Sequence, residues 1–166
     1  MKKHILISTI ASIISASAVY AAPGDVHLMP ATLTLDPGQT FALQVLVDSG
    51  TQKLGGYTLE LTYDRNLVQM DTSVANGANP LGTANVFNVE NDKGSVKITG
   101  LDVKGVGPGG NLHILTINGM ALTDAQRGTT PVTLRVESLI NEMADTIGTP
   151  NGQGSTINVT SVFQTK

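Results

Sequence analysis

The chain has 166 residues, 40% of them hydrophobic and 14% charged, with a formal net charge of −3 and no cysteine. That length suits one domain large enough to bury a core unaided. The missing thiols exclude disulfides, thiolate metal sites and cysteine nucleophiles, and the mild negative charge argues against nucleic acid, which needs a basic surface.

Residues 1–21 read as a signal peptide. Lys2, Lys3 and His4 form a basic head, Ile5 to Ile14 an apolar run too short to span a bilayer, and Val19 and Ala21 occupy the small positions before a cleavage site. Cleavage is expected after Ala21, with Ala18 as second choice. Residues 22–166 are then expected to form one soluble, exported domain, periplasmic or extracellular and free of the membrane.

From there the sequence alternates with period two, as strands with one dry and one wet face do. Leu33 and Leu35 share a face. Phe41, Leu43, Val45 and Val47 share the next, with Gln44 and Asp48 opposite. In LGGYTLELTY, Tyr57, Leu59, Leu61 and Tyr63 alternate with Thr58, Glu60 and Thr62, and the pattern breaks at Tyr63-Asp64-Arg65-Asn66. The stretch from Arg65 to Gly82 predicts mostly loop with one helical turn. Val96 and Ile98 then oppose Lys97 and Thr99, and Gly100 is a candidate bulge. In NLHILTINGMAL, Leu112 and Ile114 fall out of phase with Leu115 and Ile117, which predicts a strand buried on both faces or a bulge. Val132, Leu134 and Val136 oppose Thr133, Arg135 and Glu137, and Ile157 and Val159 close the series. Turn residues separate the runs at Asp36-Pro37-Gly38, Asn79-Pro80, Asp92-Lys93-Gly94, Pro108-Gly109-Gly110 and Pro150-Asn151-Gly152. The fold class expected is all-β, an antiparallel two-sheet β-sandwich.

Catalytic constellations are absent from the sequence. His27 and His113 fall on different strands, no serine sits in a Gly-x-Ser-x-Gly turn, and Glu60, Glu137 and Glu142 have no cleft to hold them as an acid pair. Gly105 to Gly110, GVGPGG, copies a dinucleotide fingerprint in letters only, because a strand rather than a helix follows. NDKG and DTIGTPNGQG hold oxygen ligands without the spacing of a calcium loop, and Asn158-Val159-Thr160 is a formal glycosylation acceptor. No enzyme activity, metal or cofactor is expected. Tryptophan is missing and aromatic residues make up 4%, which leaves little to stack on sugar rings.

The ordered series LDPGQTFALQVLVDS, LGGYTLELTYDRNLV, FNVENDKGSVKITGLDV, GNLHILTINGMAL, TPVTLRVESLINEMADTIGT and GQGSTINV resembles the bacterial cohesin domain family, over roughly Asp25 to Thr160. The resemblance implies a jelly-roll-type sandwich of about nine strands, related in fold to carbohydrate-binding modules. It implies that Tyr63 points into the core, that Asp64 caps the following turn, and that Leu67 re-enters the core. It also implies a binding module that recognises a protein partner, dockerin-like or other, linked to polysaccharide degradation. The alternative is a carbohydrate-binding module with a polysaccharide as ligand. With no second module in the sequence, a free-standing domain is expected. The candidate partner-binding residues are Gly56, Thr58, Glu60 and Thr62, with Lys97, Thr99 and Arg135. Gly56 and Thr58 stand where many dockerin-binding cohesins carry Asn and Asp, a departure from the family pattern.

Overall fold

The computed structural model describes residues 22–82 and 84–160. The predicted signal peptide lies outside them. The strands are β1 Asp25–Met29, β2 Thr32–Leu35, β3 Thr40–Val47, β4 Leu54–Thr62, β5 Val68–Asn76, β6 Ala84–Glu90, β7 Ser95–Val106, β8 Leu112–Ala121, β9 Gly128–Asn141, β10 Asn151–Gln153 and β11 Ser155–Val159. They form a five-stranded sheet, in the order β10-β1-β3-β8-β5, and a six-stranded sheet, in the order β2-β11-β9-β4-β7-β6. The expected sandwich is therefore present.

Two pairings are parallel, β1 with β10 and β2 with β11, and both arise from one device. The chain runs through β1 in one sheet, then crosses to the other as β2. It does the same through β10 and β11. Pro30 lies at the first crossing and has no N–H to give to a ladder. Gly154 lies at the second, where a Cβ would sit 2.1 Å from the Val132 carbonyl oxygen, so only glycine passes. Taking each broken strand as one reduces the eleven strands to nine.

The dry faces of both sheets meet in one core. Leu43, Val45 and Val47 of β3, Tyr57, Leu59 and Leu61 of β4, Val96 and Ile98 of β7, and Val132 and Leu134 of β9 are all buried, as alternation requires. The phase break in β8 is a bulge. Val45 pairs with Leu115 but Leu46 pairs with His113, so Ile114 is the extra residue and both Ile114 and Leu115 face inward.

Three expectations are corrected. Arg65 to Gly82 is not mostly loop, because β5 occupies Val68–Asn76 at an open edge of the five-stranded sheet. Within that stretch only Leu67, Val68, Met70 and, beyond the strand, Leu81 are buried, so β5 lacks a sustained apolar rhythm. Gly100 is not a bulge, because it pairs regularly with Tyr57 and Asn85. The irregularity comes later, between Leu101 opposite Gly56 and Val106 opposite Leu54. Asp48 is buried rather than wet, and its Oδ1 accepts the Gly50 N–H at 2.8 Å to close the turn after β3.

The corner after β4 is built as the resemblance implied. Asp64 Oδ1 accepts the Asn66 N–H at 2.9 Å, and Leu67 returns to the core. The buried Tyr63 donates its hydroxyl to Asn91 Oδ1, which also accepts the Met70 N–H at 2.9 Å. Asn91 Nδ2 donates to the Met70 carbonyl at 2.8 Å, so the β6–β7 turn is tied to both β4 and β5. This commits the NDKG asparagine to structure.

Burial raises the pKa of Tyr57 strongly and that of Tyr63 to a lesser degree. At Tyr63 the hydrogen bond with Met70 opposes the shift and the charge of Asp92 adds to it. The unfolded chain releases these protons near pH 10, below the folded values, so stability holds up to about pH 10 and falls as pH rises further. Denaturation midpoints from about pH 8 to pH 11 are expected to drop above 10. A flat profile would mean that both rings are solvated.

Candidate protein-binding face

The outer face of the six-stranded sheet over β9, β4, β7 and β6 gathers every candidate residue. Cross-strand register arranges them in rows. Ser138, Thr58, Thr99 and Val86 form one row, and Thr58 Oγ1 lies 3.4 Å from Thr99 Oγ1. Arg135, Glu60, Lys97 and Asn88 form the next, followed by Thr133, Thr62, Ser95 and Glu90. Side chains two apart on a strand point the same way, so Gly56 belongs to this face too, on the other side of the Thr58 row.

The charged row is self-neutralising. Arg135 Nη1 lies 3.1 Å from Glu60 Oε2 and 3.5 Å from Glu137 Oε1, and Lys97 Nζ lies 2.6 Å from Glu137 Oε2. Glu137 reaches this cluster because β9 slips register there, with Thr58 opposite Ser138 and Leu59 opposite Val136. The hydrogen bond from Lys97 holds the Glu137 carboxyl below the usual carboxylate range, against a smaller effect of desolvation and with help from the charges of Lys97 and Arg135. Two cations and two anions cancel, so the middle of the face presents no unpaired charge.

The end beyond Thr58 is apolar. A Cβ on Gly56 would lie 3.1 Å from both Ile140 Cγ1 and Leu101 Cδ1, so these two side chains already close over the glycine. Beside them Val86, Leu101 and Val103 are 68%, 54% and 80% exposed. Val103 rides on the irregular segment by which β7 departs from β4. These apolar side chains and Glu137 carry much of the face's chemistry, and sequence reading did not assign them to it. The signal for Glu137 was its shared parity with Arg135, and that for Leu101 and Val103 was the outward parity of Lys97 and Thr99 running on into solvent.

Of the enzyme candidates, Glu60 and Glu137 do meet on Arg135, but as members of an ion-pair cluster rather than as a free acid pair. Lys97 also holds Glu137, and Glu142 lies in the loop after β9. His27 and His113 do share a row on the five-stranded sheet, one on each side of Leu46. The two ring nitrogens of His113 are engaged by the Ala78 N–H at 3.4 Å and the Thr116 hydroxyl at 2.9 Å. Among the described residues no three of His, Asp or Glu come together as metal ligands. The GVGPGG stretch leads from β7 into β8, with no helix after it.

Comparison with known proteins gives a consistent picture. The model of the cohesin domain family matches residues 28–160. Among curated proteins, none is significantly similar in sequence. A cohesin–dockerin complex from Clostridium thermocellum is similar in structure, with a TM-score of 0.68 at 12% identity, covering 82% of this chain and 99% of the other. The sixth cohesin of scaffoldin B from Acetivibrio cellulolyticus, solved with a Cel5 dockerin, gives 0.66 at 14% identity over 84% and 100% of the two chains. A non-cellulosomal cohesin from the archaeon Archaeoglobus fulgidus gives 0.65 at 17% identity over 85% and 93%.

Proposed function

The chain belongs to the cohesin domain family, and from that membership we propose that it is a non-catalytic module capturing a dockerin-like protein through the outer face of β9, β4, β7 and β6. The observation that carries this reading is the face itself: a hydroxyl row beside an apolar end, with every charge in its middle already paired. A partner helix or turn can bury such a surface without leaving an ion unmatched, which is the costly event at interfaces. Two of the similar structures hold a dockerin, which supports the choice of partner class.

The departure at Gly56 and Thr58 bears on which dockerin fits. Where an Asn side chain is replaced by a glycine roofed with Ile140 and Leu101, the partner meets aliphatic surface instead of an amide. A matching dockerin therefore places an apolar residue there. A sugar-binding role for this same face is less well supported. Phe41, Tyr57 and Tyr63 are buried and Phe87 packs against the core, so none of them is free to stack on a pyranose.

The test is calorimetric titration of the protein with each dockerin module of the organism that makes it. One of them is expected to bind with a Kd of about 1 μM or tighter. Failure of all of them to bind would overturn the dockerin reading.

A further inference from the structure

We propose that the other half of this sheet, over β2, β11 and β9, carries a second site, for a sugar bearing a carboxylate, as in a uronic acid residue. A groove of about 640 Å³ opens there, lined by Thr34, Arg127, Thr129, Asn158 and Thr160. That volume lies inside the range of roughly 300–1,000 Å³ usual for small-ligand sites. The register puts Asn158 between Thr34 on β2 and Thr129 on β9, so three strands contribute one polar row. Thr160, two residues beyond Asn158, continues the same face.

Hydrogen-bond accounting assigns the ligand chemistry. Thr129 Oγ1 donates to Asn158 Oδ1 at 2.9 Å, and Thr160 Oγ1 donates to Asp36 Oδ1. A hydroxyl has one proton, so both threonines meet the groove as acceptors only. The bond from Thr129 takes the carbonyl end of Asn158 and leaves its Nδ2 as a donor. Arg127 is exposed and takes part in none of the ion pairs among the described residues. Its planar fork suits a carboxylate in a bidentate pair.

The groove thus offers a guanidinium and an amide to one end of a ligand, and hydroxyl acceptors beside them. A uronic acid carries both complements on one ring: a carboxylate for Arg127 and hydroxyl protons for Thr129 and Thr160. A neutral sugar leaves Arg127 without a counter-charge, and a bare carboxylate leaves the threonines unmatched. A second hollow of about 280 Å³, lined by Thr62, Asp64 and Thr133, shares Thr129 with the first and gives room for a further sugar unit. No aromatic side chain lines the first groove, so affinity comes from polar contacts alone and is modest. The first groove shares no residue with the protein-binding face proposed above and does not depend on that reading, whereas Thr62 and Thr133 of the second hollow belong to the edge of that face.

The experiment is an NMR titration of the isotope-labelled protein with trigalacturonic acid, with cellotriose and sodium acetate as parallel arms. Saturable shifts are expected at the amides of Arg127 to Thr130 and Asn158 to Thr160, with a Kd of about 1 mM. Cellotriose and acetate should each bind at least about tenfold more weakly, and Arg127→Ala should weaken trigalacturonic acid by a similar factor while the spectrum stays folded. Equal binding of cellotriose, equal binding of acetate, or no saturable shift at these amides would each overturn the proposal.

Discussion

Leu61→Ala lowers the unfolding free energy by about 2–5 kcal/mol. Leu61 is fully buried on β4, which has a strand on each side in the six-stranded sheet. It sits in a cross-strand row with Val96 of β7 and Leu134 of β9. Ladder hydrogen bonds pin both neighbours, so the site collapses little around the lost atoms and the cavity cost adds to the transfer cost. Thr62→Ala, one residue further and facing water, is the control and should shift stability by no more than about 0.5 kcal/mol. Chemical denaturation of the two variants checks this. A midpoint unmoved by Leu61→Ala, or moved more by Thr62→Ala, would mean that β4 is out of phase by one residue, because such a slip turns every side chain to the other face.

That phase was legible in the sequence wherever a strand separates a dry face from a wet one. Phe41, Leu43, Val45 and Val47 of β3 and the inward residues of β4 and β7 follow from alternation alone. Alternation has nothing to say where one apolar residue plugs the core from a loop. Leu81 and Ile147 are fully buried outside any strand, and neither stands in a pattern. An edge strand hides for a related reason, since β5 past Met70 is mostly solvated and carries polar residues on both faces. Asp48 reads as wet by parity, yet it turns inward because the chain leaves the ladder there and needs a local acceptor.

The candidate site was legible strand by strand but not across strands. Parity placed Thr58, Glu60, Thr62, Lys97, Thr99 and Arg135 outward. Which of them touch depends on register, and register depends on bulges whose positions leave only a weak trace in the letters. The slip in β9 delivers Glu137 to Lys97 and Arg135. The late irregularity in β7 lifts Val103 into solvent. His27 and His113 became row-mates through strand order and the bulge in β8, which sets His113 rather than Ile114 opposite Leu46.

Thr58→Arg carries the largest functional effect expected. Thr58 is in the hydroxyl row between the apolar end and the paired charges, so an arginine there places bulk and an extra cation where a partner must approach closely. The contact it removes, with Thr99 Oγ1 at 3.4 Å, is weak. A cross-strand pair of this kind contributes about 0.2–1 kcal/mol, so the fold should stay within about 1 kcal/mol of wild type. Partner capture should fall at least about tenfold, or 1.4 kcal/mol, because a desolvated centre carries most of the energy of an interface. The deciding measurement is therefore titration of wild type and Thr58→Arg with the same dockerin module, alongside their denaturation midpoints. A loss of about tenfold or more with the fold intact is expected, whereas equal affinity for the two proteins would contradict the assignment and move the interface off this face.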